Sequence, residues 1–245
     1  MFFGYDPTFL LLIPGLLLAL WAQWKVKAAF AKYSKVPASS GLTGAEVAAG
    51  LLQRPGVGVG AGAMSGAAAS QLRAVQIEAI AGDLTDHYDP RAKILRLSEP
   101  VYAGRSLAAL GIAAHETGHA LQHATGYSAL GLRSALLPAA NIGSTLAFPL
   151  FFIGLIFGPG SLKVLMDVGI LFYAAAVAFT LITLPVEFNA SRRAIALLKD
   201  GGYIRLDEVK PAKAVLDAAA LTYLAAAVMA LLQLLRLIIL RNERD

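Results

Sequence analysis

The sequence contains no cysteine among its 245 residues. This absence excludes a disulfide framework, and it also excludes any metal site built on thiolate ligands. If the protein binds a transition metal, the protein ligands must come from histidine, aspartate or glutamate side chains.

Charged residues are also scarce. They make up 15% of the chain, while 57% of the residues are hydrophobic and the mean hydropathy is +0.63. Soluble domains carry about 25% charged residues, so this composition indicates a membrane protein with a lipid bilayer as its surroundings. The net charge of +5 is explained by a basic face beside anionic lipid, and we expect no nucleic-acid partner.

Four charge-free stretches predict transmembrane helices, because a helix needs about 20 mainly apolar residues to cross the hydrocarbon layer. They cover residues 7–24, 134–162, 168–186 and 218–235. Between the second and third spans, Gly158, Pro159 and Gly160 predict a turn that makes these two helices a tight hairpin.

The predicted organisation follows from these spans. It consists of a first transmembrane helix (1–24), a peripheral region (25–133), a transmembrane hairpin (134–186), a second polar region (187–217) and a last transmembrane helix (218–240).

The basic residues predict the orientation in the membrane. They are concentrated after the first span and between the third and fourth spans, and cytoplasmic segments carry an excess of lysine and arginine. We therefore expect both polar regions on the cytosolic face and both termini on the opposite side, although Arg236, Arg241 and Arg244 near the C-terminus run against this orientation.

The peripheral region is predicted to be a small α+β domain. Thr43 and Glu46 have the spacing of a capping box, which predicts a helix to about Gln53. Residues 54–70 are mostly glycine, alanine and serine, and this composition predicts a mobile loop. Residues 74–80 and 93–97 show the alternation of strands, with turn formers between them, and an exposed edge of such a sheet could hold an extended peptide.

A metal-binding motif lies in the last part of this region. Residues 106–124 have helical composition, with Ser106 as a candidate N-cap and Gly126 just beyond the C-terminus. His115, Glu116 and His119 form the pattern His-Glu-x-x-His, in which the two histidines lie one turn apart on the same helical face. Two imidazoles can therefore reach one metal ion.

The motif predicts hydrolytic chemistry at one zinc ion. Neutral imidazole is a good zinc ligand, and a catalytic site needs three protein ligands and an open position for water. Glu116 is rotated by about 100° from His115, which places its carboxylate beside the metal, where it can accept a proton from bound water. The small residues around the histidines, including Gly118, leave room for a metal and for another segment of the chain.

The third ligand is expected from the second polar region, where Glu187 follows the third span and opens a predicted helix to Leu198. His123, one turn further along the motif helix, is an alternative, but its rotation of about 80° from His115 directs it away from the metal. His87, in the predicted turn, is a weaker alternative.

Several motifs together resemble the bacterial neutral zinc metallopeptidases of the YugP type. They read LTDHYDPR, LRLSEPVY, AAHETGHALQHA and PVEFNASRRA, and the resemblance covers nearly the whole chain apart from the glycine- and alanine-rich tract. The arrangement is more distantly similar to HtpX-like and prenyl-protein membrane peptidases. That resemblance implies Glu187 as the third ligand and a location in the bacterial cytoplasmic membrane.

One position departs from these more distant relatives. They often carry an aspartate four residues after the glutamate ligand, where it orients a zinc histidine, and this chain has Ser191 there. Another side chain is therefore expected to orient the histidine, with Asn189 as the candidate.

The sequence thus predicts a mainly α membrane protein with about four transmembrane helices and a small zincin-like α+β peripheral domain. The predicted function is that of a zinc metalloendopeptidase acting on peptide or protein substrates, membrane proteins among them. Tyr203, Arg192 and His87 are candidates for stabilising the oxyanion. The alternatives are a non-catalytic zinc-stabilised scaffold and an intramembrane site-2-type protease, although the latter's Leu-Asp-Gly motif is absent.

Overall fold

The computed structural model describes residues 6–54, 64–157 and 161–243. The described chain is mainly helical, with eight α-helices and three short strands in it. In chain order these are α1 (Ile13–Tyr33), α2 (Gly44–Gln53), α3 (Gly66–Arg73), β1 (Gln76–Ile80), β2 (His87–Asp89), β3 (Ile94–Ser98), α4 (Glu99–Tyr102), α5 (Leu107–Ala124), α6 (Ser128–Phe157), α7 (Val164–Asp200) and α8 (Val209–Asn242).

Within the described residues, four helical segments are long and apolar enough to cross a membrane. They are Pro7–Tyr33, Ser128–Phe157, Val164–Asp200 and Leu206–Asn242. The prediction of four candidate spans is confirmed, and each helix is longer than its charge-free stretch, because charged side chains at a helix end do not interrupt the backbone hydrogen bonds. The turn predicted at Gly158, Pro159 and Gly160 lies outside the described residues.

The chain forms two compact units. The first comprises residues 1–23, 131–185 and 221–245. Its α6 and α7 segments approach closely, since a Cβ added to Gly169 would lie 2.7 Å from the carbonyl oxygen of Ala147. Small residues allow such close packing of helices in membranes. Phe151, Met166 and Leu237 form the buried core beside this contact.

The same unit contains a buried ion pair. Arg236 donates from Nη2 to Asp6 Oδ2 at 2.6 Å and from Nε to Thr8 Oγ1 at 3.0 Å. Its guanidinium also lies over the Phe9 ring, 3.7 Å from the centroid. These contacts satisfy a charge that is 6% exposed, and they hold the start of the first span to α8.

The second unit comprises residues 24–130 and 186–220. Its sheet has the order β1-β3-β2, with β1 parallel and β2 antiparallel to β3. The largest core cluster lies among α2, α5, the end of α7 and the start of α8, and it includes Leu51, Leu110, Leu121, Leu198 and Leu216. This packing brings the end of α7 against α5.

The structure confirms several local predictions for this unit. Thr43 and Glu46 form the capping box in both directions, and α2 ends at Gln53 as expected. The two predicted strands are β1 and β3.

Three local predictions are wrong. The segment predicted as a turn contains strand β2, and His87 lies in it. The mobile loop predicted for residues 54–70 is helical from Gly66, because Ser65 caps α3 and Ala68 and Leu72 are buried; residues 55–63 of that loop lie outside the described chain. Glu187 does not open a helix, since α7 runs from Val164 to Asp200.

Candidate metal centre

The motif helix α5 begins and ends where its sequence predicts. Ser106 is the N-cap, and its hydroxyl accepts a hydrogen bond from the Ala109 amide at 3.2 Å. At the other end, Gly126 has φ +63°, the left-handed conformation that glycine adopts after a helix. The helix therefore presents His115 and His119 on one face, as the spacing requires.

Three side chains from two helices meet at this face. Among the described residues, His115, His119 and Glu187 each contribute one potential ligand atom, and these three atoms lie within 4.8 Å of one another. Glu187 Oε2 lies 3.3 Å from His115 Nε2 and 3.5 Å from His119 Nε2. The two rings are perpendicular, with centroids 4.8 Å apart. The side chains therefore surround one point, which is the arrangement of a three-ligand metal site.

Glu187 provides a test of whether a metal fits there. The residue is 3% exposed, and Oε2 is one of the few buried side-chain polar atoms of the described residues without a hydrogen-bond partner. A buried carboxylate oxygen without a partner is costly, and a cation bound there would stabilise it. Two imidazole nitrogens and a carboxylate oxygen match the donor set of a zinc site with an open position.

The local electrostatics also favour a cation. Burial lowers the pKa of His119, but the neighbouring Glu187 and Glu116 carboxylates raise it, and the result is a pKa above the ordinary histidine value. The field at this imidazole therefore stabilises positive charge, which a proton or a metal ion can supply.

The other nitrogen of each imidazole is held by a neutral side chain. Ser191 Oγ lies 3.2 Å from His115 Nδ1, and Gln122 Oε1 lies 3.0 Å from His119 Nδ1. Contacts of this kind orient a histidine ring and leave Nε2 for a metal. Asn189, the expected orienting residue, contacts Gln122 instead. The hydroxyl of Ser191 thus contacts His115 at the position where the more distant relatives carry an aspartate, and Asn189 does not contact a zinc histidine directly.

The two alternative ligands lie elsewhere among the described residues. His123 Nδ1 is 3.0 Å from the Tyr88 hydroxyl, and His87 Nδ1 is 2.9 Å from the carbonyl oxygen of Thr85. Neither histidine belongs to the cluster formed by His115, His119 and Glu187.

The remaining candidates have different surroundings. Glu116, the predicted base, is 8% exposed and contributes to the field at His119. Of the oxyanion candidates, Tyr203 is part of the large core cluster and Arg192 is exposed. His87 lies on the exposed side of β2, where Arg96 Nη1 is 3.5 Å from its Nε2.

Comparison with known proteins also indicates a zinc peptidase. The protein family described as "Putative neutral zinc metallopeptidase" matches residues 8–242. The chain belongs to this family. It is also 49% identical over 236 residues to "Putative membrane protease YugP" of Bacillus subtilis (strain 168), a match that covers 96% of this chain and 97% of the relative. No solved structure gives a significant match.

The site in this family member includes a residue that the sequence analysis did not single out. Gln122 is completely buried and contacts both His119 and the α7 turn that carries Glu187. A signal was present, because a polar residue three positions after His119 lies near it on the helix. Its contacts with α7 depend on tertiary packing, which local spacing does not reveal.

Gly118 sets the separation between the two helices of the site. A Cβ added there would lie 2.8 Å from the carbonyl oxygen of Ala190 in α7. We expect Gly118→Ala to push α7 away and to destabilise the protein by about 1–3 kcal/mol, the usual cost of overpacking. Zinc affinity should fall with it, because Ala190 is three residues from Glu187.

Gly111→Ala is a matched control on the same helix. Its added Cβ would lie 3.6 Å from the carbonyl oxygen of Ala212, an ordinary contact. Thermal unfolding in detergent and competition with a zinc chelator measure both variants. Equal effects of the two substitutions would contradict the proposed close contact between α5 and α7.

Proposed function

We propose that the protein is a membrane-embedded, zinc-dependent metalloendopeptidase. One zinc ion would be held by His115, His119 and Glu187, in a zincin-like arrangement in which a glutamate is the third ligand. The observation that carries this proposal is the buried Glu187 oxygen, which faces two imidazole Nε2 atoms without a hydrogen-bond partner. Glu116 follows the first of these histidines directly in the chain.

A zinc ion bound there supplies a Lewis acid that polarises a peptide carbonyl and lowers the pKa of a bound water. Glu116 has the role of general base. Its carboxylate accepts the proton of the attacking water and delivers it to the leaving nitrogen when the peptide bond breaks. Glu116 is outside the group of three ligand atoms, so its carboxylate remains free for proton transfer.

The proposed substrate class is peptides or proteins. Proteins of the same membrane are included in the proposal, since the four candidate spans in the described residues would hold the chain in a bilayer beside them. The name of the Bacillus subtilis relative, "Putative membrane protease YugP", supports this class. Substrate entry as an extended strand is consistent with the edge strands β1 and β2 of the sheet.

Purified protein tests the proposal directly. We expect about one zinc per chain by elemental analysis, hydrolysis of a casein-like substrate, loss of hydrolysis on chelation and recovery when zinc is added back. Stoichiometric zinc without hydrolysis of any peptide would instead support a zinc-stabilised scaffold. Hydrolysis that survives complete removal of metal would contradict the zinc mechanism.

We further propose a location in the bacterial cytoplasmic membrane with the metal centre on the cytosolic side. The support is the concentration of lysine and arginine in the second half of α1 and at the end of α7. Reporter tags placed after Asp245 and near Arg54 should then lie on opposite sides of the membrane. Accessibility of both tags from one side would contradict this topology.

A further inference from the structure

Gln122 is the side chain that connects His119 to α7. It is completely buried on α5. Its Oε1 lies 3.0 Å from His119 Nδ1, while its Nε2 donates to the carbonyl oxygen of Val186 at 2.8 Å and to Asn189 Oδ1 at 3.0 Å. One amide group therefore contacts a proposed zinc ligand and the backbone next to another.

The Val186 carbonyl, which only accepts, and Arg193 together set the direction of these hydrogen bonds. A guanidinium donates hydrogen bonds and accepts none, and Arg193 Nε lies 2.7 Å from Asn189 Oδ1. The Asn189 atom between Arg193 and Gln122 must therefore be the oxygen. Gln122 must present its NH₂ group to that oxygen, and this group also reaches the Val186 carbonyl.

The orientation of Gln122 then decides which ring nitrogen of neutral His119 carries the proton. With its NH₂ group committed to α7, Gln122 presents its oxygen to the imidazole, and an amide oxygen only accepts. Nδ1 of neutral His119 must carry the proton, so the lone pair is on Nε2. That nitrogen is the atom 3.5 Å from Glu187 Oε2.

His115 lacks a comparable constraint. Its Nδ1 contacts the Ser191 hydroxyl at 3.2 Å, and a hydroxyl either donates or accepts. The contact is compatible with both neutral tautomers. The two histidines of the motif are therefore held differently.

We propose that Arg193, Asn189 and Gln122 form a positioning relay that fixes His119 in the Nδ1–H tautomer, with Nε2 prepared for a metal. These residues act through His119 and are positioning residues. The consequence for zinc affinity rests on the proposed function, whereas the tautomer does not depend on zinc.

The first experiment is ¹⁵N NMR of histidine-labelled, metal-free protein in detergent, recorded at alkaline pH where the imidazoles are neutral, with His119 assigned by the signal lost in His119→Gln. We expect the wild-type His119 in the Nδ1–H tautomer and a mixture of tautomers in Gln122→Leu. An Nε2–H tautomer in the wild type would overturn the relay, even if the leucine variant does not fold. So would a His119 signal that Gln122→Leu leaves unchanged.

Asn189→Asp tests the direction of the relay. An aspartate oxygen still accepts from Gln122 and Arg193, so this variant should keep the wild-type tautomer. Asn189→Leu leaves the Val186 carbonyl as the remaining acceptor for the Gln122 NH₂ group, so it should admit a smaller share of the Nε2–H tautomer than Gln122→Leu does. Equal spectra of the aspartate and leucine variants would contradict the role of Asn189 as an acceptor.

Zinc affinity, measured by chelator competition, provides a second readout. We expect Gln122→Leu to weaken zinc binding about 10- to 100-fold, the usual effect of losing a side chain that orients a ligand. Thr117→Val is the control, because Thr117 is equally buried, lies on the opposite face of α5 and donates to its own helix at Ala113. Thr117→Val should change zinc affinity less than about twofold, well below the loss expected for Gln122→Leu.

The outcomes separate the two proposals. Unchanged zinc affinity in Gln122→Leu, or an equal loss in Thr117→Val, overturns the relay and leaves the zinc peptidase intact. A wild type that binds no zinc contradicts the proposed function, and the histidine spectrum still decides whether the relay sets the tautomer.

Discussion

Glu116→Gln should abolish most of the peptidase activity while the protein retains its zinc. The substitution keeps the size of the side chain but removes its ability to accept a proton, and general acid–base catalysis contributes about 10²–10⁴-fold to a rate. Glu116 contributes none of the three potential ligand atoms. Zinc stoichiometry and thermal stability should therefore remain those of the wild type. Casein hydrolysis and elemental analysis of the same preparation measure both quantities.

This variant also distinguishes an enzyme from a scaffold, since a structural metal needs no general base. Thr117→Val, the neighbouring substitution on the far side of the helix, should hydrolyse casein at close to the wild-type rate. Undiminished hydrolysis by Glu116→Gln would eliminate the proposed mechanism. A parallel loss of zinc in this variant would indicate that Glu116 is a ligand and not a base.

Glu187→Ala should produce the largest loss of zinc affinity. Removing a side chain that only orients a ligand costs about 10- to 100-fold, and we expect removal of a ligand itself to exceed that range. Two histidines on one helix leave a zinc ion under-coordinated, and Glu187 is the carboxylate that the structure brings to them. Chelator competition followed by elemental analysis measures the effect.

Glu187→Asp gives a graded comparison. Its carboxylate is retained but ends one methylene short of Glu187 Oε2, the atom that faces both imidazoles. Zinc affinity should fall less than in the alanine variant. Activity should fall more steeply than affinity, because a metal ion held by the shorter side chain would be shifted relative to the Glu116 carboxylate. Tight zinc binding by Glu187→Ala would show that another residue completes the site.

The parts of the site that depend on local chemistry follow from the sequence. Ser106, the His-Glu-x-x-His spacing and Gly126 define α5, because capping and helical periodicity act over a few residues. Glu187 followed from the absence of cysteine and from the position of the second polar region. The structure brings this glutamate to the two histidines.

Features that depend on tertiary contacts were not predictable in the same way. Strand β2 has three residues, and its pairing with β3 decides its conformation, whereas its sequence is rich in turn formers. Pro185 lies inside α7 immediately before Val186, although a proline usually marks a helix boundary in sequence. The orientation of Gln122 depends on the Val186 carbonyl and on Arg193, both of which only the packing of α7 brings near it.

The placement of the third potential ligand on α7 has a consequence for biosynthesis. A ribosome that has made α5 has incorporated both histidines but not the carboxylate, because Glu187 is encoded after two further candidate membrane spans have begun. The nascent chain therefore has only part of the proposed zinc site while its first half enters the membrane. The proposed zinc site is therefore completed only when the third span has been synthesised, and the proposed peptidase activity cannot begin before that point.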